Sequence, residues 1–212
     1  MTAPLVFVVD DDPSARKSLT RVMRSAGYTV ETFASARDFM ARAPSVGPCC
    51  VVLDVRMPGL TGLDLQEALV GAGRPMPIVF ITGHGDIPMS VKAMKGGAVD
   101  FLTKPFDVQS LLEAIRRAVA KDVKDRGEEG RTAAVLARVT RLTPREIEVF
   151  ALVVTGMLNK QIAGALGICE KTVKVHRARV MEKMQAGSLA ELVRLADRAG
   201  VVVPTASVPS AR

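Results

Sequence analysis

Asp10, Asp11 and Asp12 follow directly on the apolar run Leu5–Val9, and Asp54 closes a second apolar run that starts at Cys49. Carboxylates gathered at one edge of a sheet repel one another. A hard divalent cation relieves that repulsion, and Mg²⁺, which takes a few carboxylates together with waters and phosphate oxygens, matches the set. Two further β-rich runs end at Thr82 and immediately before Lys104. They add a hydroxyl and an ammonium that can pair with Asp54 or with a phosphoryl oxygen. The residue types therefore point to an acidic pocket that handles a metal and a phosphate-like group.

Such a pocket forms only if the runs are strands of one sheet. Residues 5–9, 28–33, 49–53, 78–82 and 99–103 read as five strands alternating with amphipathic helical stretches, the signature of βα units on a parallel sheet. The third and fourth are continuous apolar runs, as strands covered on both faces should be. The expected fold is a five-stranded, doubly wound, flavodoxin-like α/β domain over residues 1–120, with its functional crevice at the carboxyl ends of the strands. With 212 residues, of which 48% are apolar, the chain has material for a second core.

Residues 121–140 hold a charged stretch with two glycines followed by a weakly apolar run, and read as a linker whose second half is compatible with a helix. Residues 141–200 read as a small all-α domain of four helices. Thr143-Pro144-Arg145-Glu146 is a capping box with Pro at the first helical position. Asn159 is the expected cap of the next helix, Ser188 with Glu191 forms a second box, and Gly167 supplies the short turn of a helix-turn-helix. The Pro/Ser/Ala-rich tail over residues 201–212 is expected to be disordered.

The helix over residues 170–184 divides by its periodicity. Val173, Val180 and Met184 fall on an inward side, and Lys171, Lys174, Val175 and Arg179 fall opposite, suited to base edges in a major groove. Thr172 and Lys160 are better placed for phosphates, and His176 lies at the edge of the core. Charge agrees with an anionic partner: of the net +7, residues 141–212 carry 11 Lys/Arg against 6 Asp/Glu, an excess of +5.

Two resemblances sharpen this reading. Asp10-Asp11, Asp54, Thr82 and Lys104-Pro105, each closing a β-run in order, resemble the receiver domain of two-component response regulators over nearly all of residues 4–120. Leu142-Thr143-Pro144-Arg145-Glu146, Asn159 to Ala163 and Lys171 to Arg177 resemble the LuxR/FixJ (NarL-type) helix-turn-helix domain. The segment Ile81-Thr82-Gly83-His84-Gly85-Asp86 is similarly FixJ-like. The receiver likeness implies that Asp54 is the phosphoacceptor. It implies that Asp11, Asp54 and the Arg56 backbone carbonyl bind Mg²⁺, with Asp10 acting through water, and that Thr82 and Lys104 bind phosphoryl oxygens. It also implies a cis Lys104-Pro105 bond and a switch in which Thr82 and Phe101 move together. The chemistry is intelligible, because a carboxylate attacks phosphorus only where metal and Lys neutralise the charge that acids and phosphoryl group concentrate.

The implied protein is a transcription factor phosphorylated by a sensor histidine kinase. Phosphorylation then controls binding to double-stranded DNA through homodimerisation, release of the DNA-binding domain, or both. It is no enzyme beyond its own phosphoryl transfer and dephosphorylation. Arg56 and His84, each two residues past a site residue, sit where they could tune the lifetime of the phosphoryl group. A haloacid-dehalogenase-type phosphatase would carry a second acid at position 56, where this chain has Arg; a flavodoxin-like cofactor binder would not place three acids after its first strand. Cys49 and Cys50 read as strand residues, and Cys169 as a poor cap of the recognition helix. With three cysteines in no disulfide or zinc spacing and no apolar run near the roughly 20 residues that span a bilayer, a cytoplasmic protein without a membrane partner is expected.

Overall fold

The computed structural model describes residues 3–201 except His84. Two compact units divide at Arg126 and Gly127. In the first, β1 (Leu5–Val9), β2 (Thr29–Phe33), β3 (Cys49–Asp54), β4 (Ile78–Thr82) and β5 (Asp100–Thr103) form one parallel sheet in the order β2-β1-β3-β4-β5. The expected doubly wound architecture is present, and the strand ends fall within a residue or two of those read from the sequence.

Successive strand residues face opposite sides of a sheet, so one strand feeds two cores. Phe7, Val9, Cys49, Val51, Leu53, Ile78 and Phe80 pack with residues of α2 (Ala36–Ala41), α3 (Gly62–Gly71) and α4 (Ile87–Lys95). Val6, Val8, Cys50, Val52, Val79 and Ile81 pack on the other face with residues of α1 (Pro13–Ser25) and α5 (Val108–Val139). Cys49 and Cys50 are thus buried strand residues on opposite faces, which excludes a vicinal redox pair in this fold.

Residues 121–139, where the sequence pattern loosens, continue α5 as helix. Long-range contacts hold that stretch. The buried Asp122 carboxylate accepts the Cys49 backbone N–H at 2.9 Å and pairs with Arg126, which also donates to the Ser45 carbonyl. Further along, Val135 and Val139 join the core of the second unit.

That second core gathers Val149, Phe150, Ile162, Val173, Val180, Met184 and Leu192 from α6 (Pro144–Val153), α7 (Asn159–Leu166), α8 (Glu170–Met184) and α9 (Leu189–Arg198). The Thr143 capping box forms as expected, with Glu146 accepting the Thr143 N–H at 2.8 Å. The cap of α7 differs from expectation. Leu158 holds the cap position because Gln161 reaches back to its N–H at 2.7 Å, and Asn159 uses its side-chain oxygen to accept from Arg177 at 3.1 Å. At the start of α9 the Ser188 hydroxyl accepts the Glu191 N–H, whereas the Glu191 carboxylate takes the Gly187 N–H in place of that of Ser188. The tail from residue 202 on lies outside the described residues.

Candidate functional site

The strand order reverses direction between β1 and β3, and an open α/β sheet presents its crevice at such a switch point. Asp10 leaves the end of β1, Asp54 ends β3, and the in-register pairing of the two strands brings the acids side by side. Asp10, Asp11 and Asp54 each offer a carboxylate oxygen within 4.8 Å of the others. Asp10 is 1% exposed and Asp54 7%, while Asp11 faces solvent. A cluster of hard oxygen donors this close suits a hard divalent cation such as Mg²⁺, which takes a few carboxylates together with waters.

Lys104 follows β5 and supplies the balancing charge. Its Nζ donates to Asp10 Oδ2 at 2.9 Å and lies 3.6 Å from Asp54 Oδ1. The other Asp10 oxygen accepts the Asp12 N–H at 2.8 Å. Burial raises the Asp54 pKa above the ordinary value; Lys104 opposes that rise, and the charges of Asp10 and Asp11 add to it. For Lys104, burial alone would depress the pKa. The hydrogen bond to Asp10 and the charge of Asp54 outweigh it, so the ammonium is held above its usual range.

Thr82 is fully buried at the end of β4, and the Lys104 N–H donates to its carbonyl at 2.7 Å. Phe101 is half-buried in β5 with its ring 6.2 Å from that of Phe80. The Lys104-Pro105 bond is cis. The Arg56 side chain is exposed, and His84 lies outside the described residues. Two glycines shape the pocket: Gly62, unmarked in the sequence, and Gly85, which the sequence offers only as part of the FixJ-like segment. A Cβ on Gly62 would collide with the Asp54 carbonyl oxygen, and one on Gly85 would press the Thr103 and Thr82 methyls and the Phe101 ring. The steric need at each shows only after folding, when Gly62 meets the Asp54 carbonyl and Gly85 meets side chains of β4 and β5.

In the second unit, Gly167 ends α7 in the left-handed conformation and delivers the chain into α8. Val173, Val180 and Met184 are buried, as their spacing predicts. Lys171, Lys174, Val175 and Arg179 are exposed on α8, and Lys160 is exposed on α7. Thr172 and His176 are half-buried. Cys169 caps α8 without a side-chain bond to the backbone; its Sγ instead lies 3.1 Å from the Thr172 hydroxyl.

The model of the response regulator receiver domain matches residues 6–116, and that of the luxR family of bacterial regulatory proteins matches residues 140–196. The chain belongs to the response regulators. Nodulation protein W of Bradyrhizobium diazoefficiens is 50% identical to this response regulator over 200 residues, 94% of this chain and 88% of that protein. The transcriptional regulatory protein FixJ of the same organism is 45% identical over 93% of this chain and 96% of its own. Among solved structures, response regulator StyR superposes with a TM-score of 0.81 at 48% identity, covering 93% of this chain and 100% of that one. Full-length FixJ from B. japonicum gives 0.56 at 43%, covering 95% and 100%. The protein is therefore a response regulator that joins a receiver to a LuxR-type DNA-binding domain. No helix among the described residues is long and apolar enough to cross a membrane.

Proposed function

We propose that Asp54 accepts a phosphoryl group from a sensor histidine kinase and that its phosphorylation governs sequence-specific binding of double-stranded DNA by the C-terminal unit. The observation that carries the reading is the meeting of Asp10, Asp11 and Asp54 with Lys104 at the β1/β3 switch point. Asp11, Asp54 and the Arg56 backbone carbonyl would hold Mg²⁺, with Asp10 acting through water. When bound, the cation neutralises charge that builds up on the phosphoryl oxygens during transfer.

The chain's own groups do the rest. The Asp54 carboxylate oxygen attacks the phosphorus of the kinase's phosphohistidine; the O–P bond forms as the P–N bond breaks, and the imidazole leaves and takes up a proton from water. Lys104, already drawn between Asp10 and Asp54, turns its ammonium to a phosphoryl oxygen, and the Thr82 hydroxyl donates to another. Thr82 and Phe101 carry that event outward from the pocket, since both side chains close on the backbone of Gly85, where a Cβ would not fit. The output is homodimerisation, release of the DNA-binding unit, or both. Lys171, Lys174, Val175 and Arg179 face base edges, and Lys160 and Thr172 face phosphates. No reaction on an outside substrate is proposed.

Incubation with acetyl phosphate and Mg²⁺ tests the acceptor: intact mass should rise by one phosphoryl group in the wild type and stay constant in Asp54→Asn. A phosphorylated Asp54→Asn protein would sink the assignment. Selection of bound sequences from a random DNA pool at one stated salt concentration should enrich a motif with the phosphorylated wild type and not with Asp54→Asn. Solution mass measured beside it separates the two outputs, because a phosphorylated monomer that binds fully excludes obligatory dimerisation.

A further inference from the structure

Arg16 stands in the first turns of α1, six residues beyond Asp10, and its side chain folds back over the loop it has just left. One terminal nitrogen, Nη1, donates to the Asp10 carbonyl at 2.7 Å and to the Asp11 carbonyl at 3.0 Å. These are the backbones of two of the three acids in the pocket. Fixing two successive carbonyls with one planar donor fixes the peptide between them, and with it the directions in which the two carboxylates leave the chain. Asp10 has further restraints on its side chain, from the Asp12 N–H and Lys104. For the exposed Asp11, the Arg16 contact restrains the backbone that carries it.

We infer that Arg16 is a positioning residue for the cation site: it holds the Asp10-Asp11 loop so that both carboxylates meet Asp54 before the cation arrives. The inference rests on the reading of the pocket as a Mg²⁺ site. Groups that orient ligands without touching the metal are worth roughly 10- to 100-fold in metal affinity when removed. The charge of Arg16 acts in the opposite direction. A guanidinium beside a cation site repels the cation, so deleting it for charge alone would tighten binding. Position and charge therefore predict opposite signs for one substitution.

The experiment titrates the unphosphorylated full chain with Mg²⁺ alone and follows the amide resonances of the β1-α1 loop. Arg16→Ala should weaken Mg²⁺ binding roughly 10-fold. Arg16→Met, which keeps much of the side chain's length and removes both N–H donors, should also bind more weakly than the wild type. Lys17→Ala, which removes a neighbouring exposed charge, should bind as tightly as the wild type or slightly more so. Thermal midpoints are recorded in parallel. An Arg16→Ala protein with a lowered midpoint and wild-type or tighter Mg²⁺ binding would reduce Arg16 to a structural staple and overturn the inference, as would equal weakening in Lys17→Ala. If Arg16→Ala does not fold, wild-type or tighter affinity in Arg16→Met overturns it. A wild-type chain that fails to bind Mg²⁺ removes the pocket reading itself, and the role of Arg16 with it.

Discussion

Lys104 is the cation on which the buried acids of the receiver depend. Its ammonium lies 2.9 Å from Asp10, which is 1% exposed, and 3.6 Å from Asp54. Removing one partner of a buried ion pair leaves the other charge uncompensated, which costs about 3–5 kcal/mol, more than the pair contributes when intact. Lys104→Met should therefore destabilise the receiver in urea denaturation without Mg²⁺, by less than that amount because the Lys104 side chain is itself 32% exposed. Added Mg²⁺ should recover part of the loss, because a divalent cation can take over the balancing of Asp10 and Asp54. A variant as stable as the wild type in metal-free buffer would show that the acids do not need the ammonium. The raised pKa of Asp54 belongs to the same balance: burial dominates, and Lys104 restrains it.

At the scale of elements, Glu146 closes the capping box of α6 and accepts from Lys183 of α8 at 2.6 Å, tying the two helices together. The bond to Lys183, with help from the Thr143 N–H, lowers its pKa from 4.5 to about 2. A depressed carboxylate pKa stabilises the fold fully above the unfolded value and loses that contribution as pH falls through the folded one. Thermal melts should show the C-terminal unit weakening between pH 5 and pH 2, with a flatter profile in Glu146→Gln. An unchanged profile in that variant would dismiss the pair as the cause. Asp122 plays a matching part for α5, and Asp122→Ala, which leaves the Cys49 N–H buried and unpaired, should cost about 1–3 kcal/mol and speed hydrogen exchange at that amide. The strands and the four later helices were legible because periodicity and caps are local signals. The helix through residues 121–139 was legible only in its second half: Gly127, Gly130 and the charges weaken the pattern of the first, which is held by contact with residues over 70 positions away, as between Asp122 and Cys49. Asn159 misled for the same reason, since its side chain answers to Arg177 across 18 residues. Arg16 acts through side-chain bonds to two carbonyls, and Gly62 and Gly85 through close approaches of their backbone to other residues, none of which has a sequence pattern of its own.

Across the whole molecule the positive excess is uneven, and residues 141–212 hold +5 of the net +7. If Lys160 faces phosphate, Lys160→Ala should weaken binding about equally on every sequence and lower the slope of log affinity against log salt by about 1. If Lys174 faces a base edge, Lys174→Ala should cost about 1–3 kcal/mol on the selected site and relax its sequence preference. Equal losses on selected and random DNA for Lys174→Ala would move it to the backbone class. The distribution of thiols is uneven too. Cys49 and Cys50 are sealed within the sheet, where burial pushes both thiols up, whereas Cys169 is exposed and its bond with the Thr172 hydroxyl brings its pKa down. The native chain thus carries a single addressable attachment point, one residue ahead of the helix that would enter DNA. A fluorophore coupled there needs no engineered cysteine, and would sense operator occupancy from the protein's side of the groove.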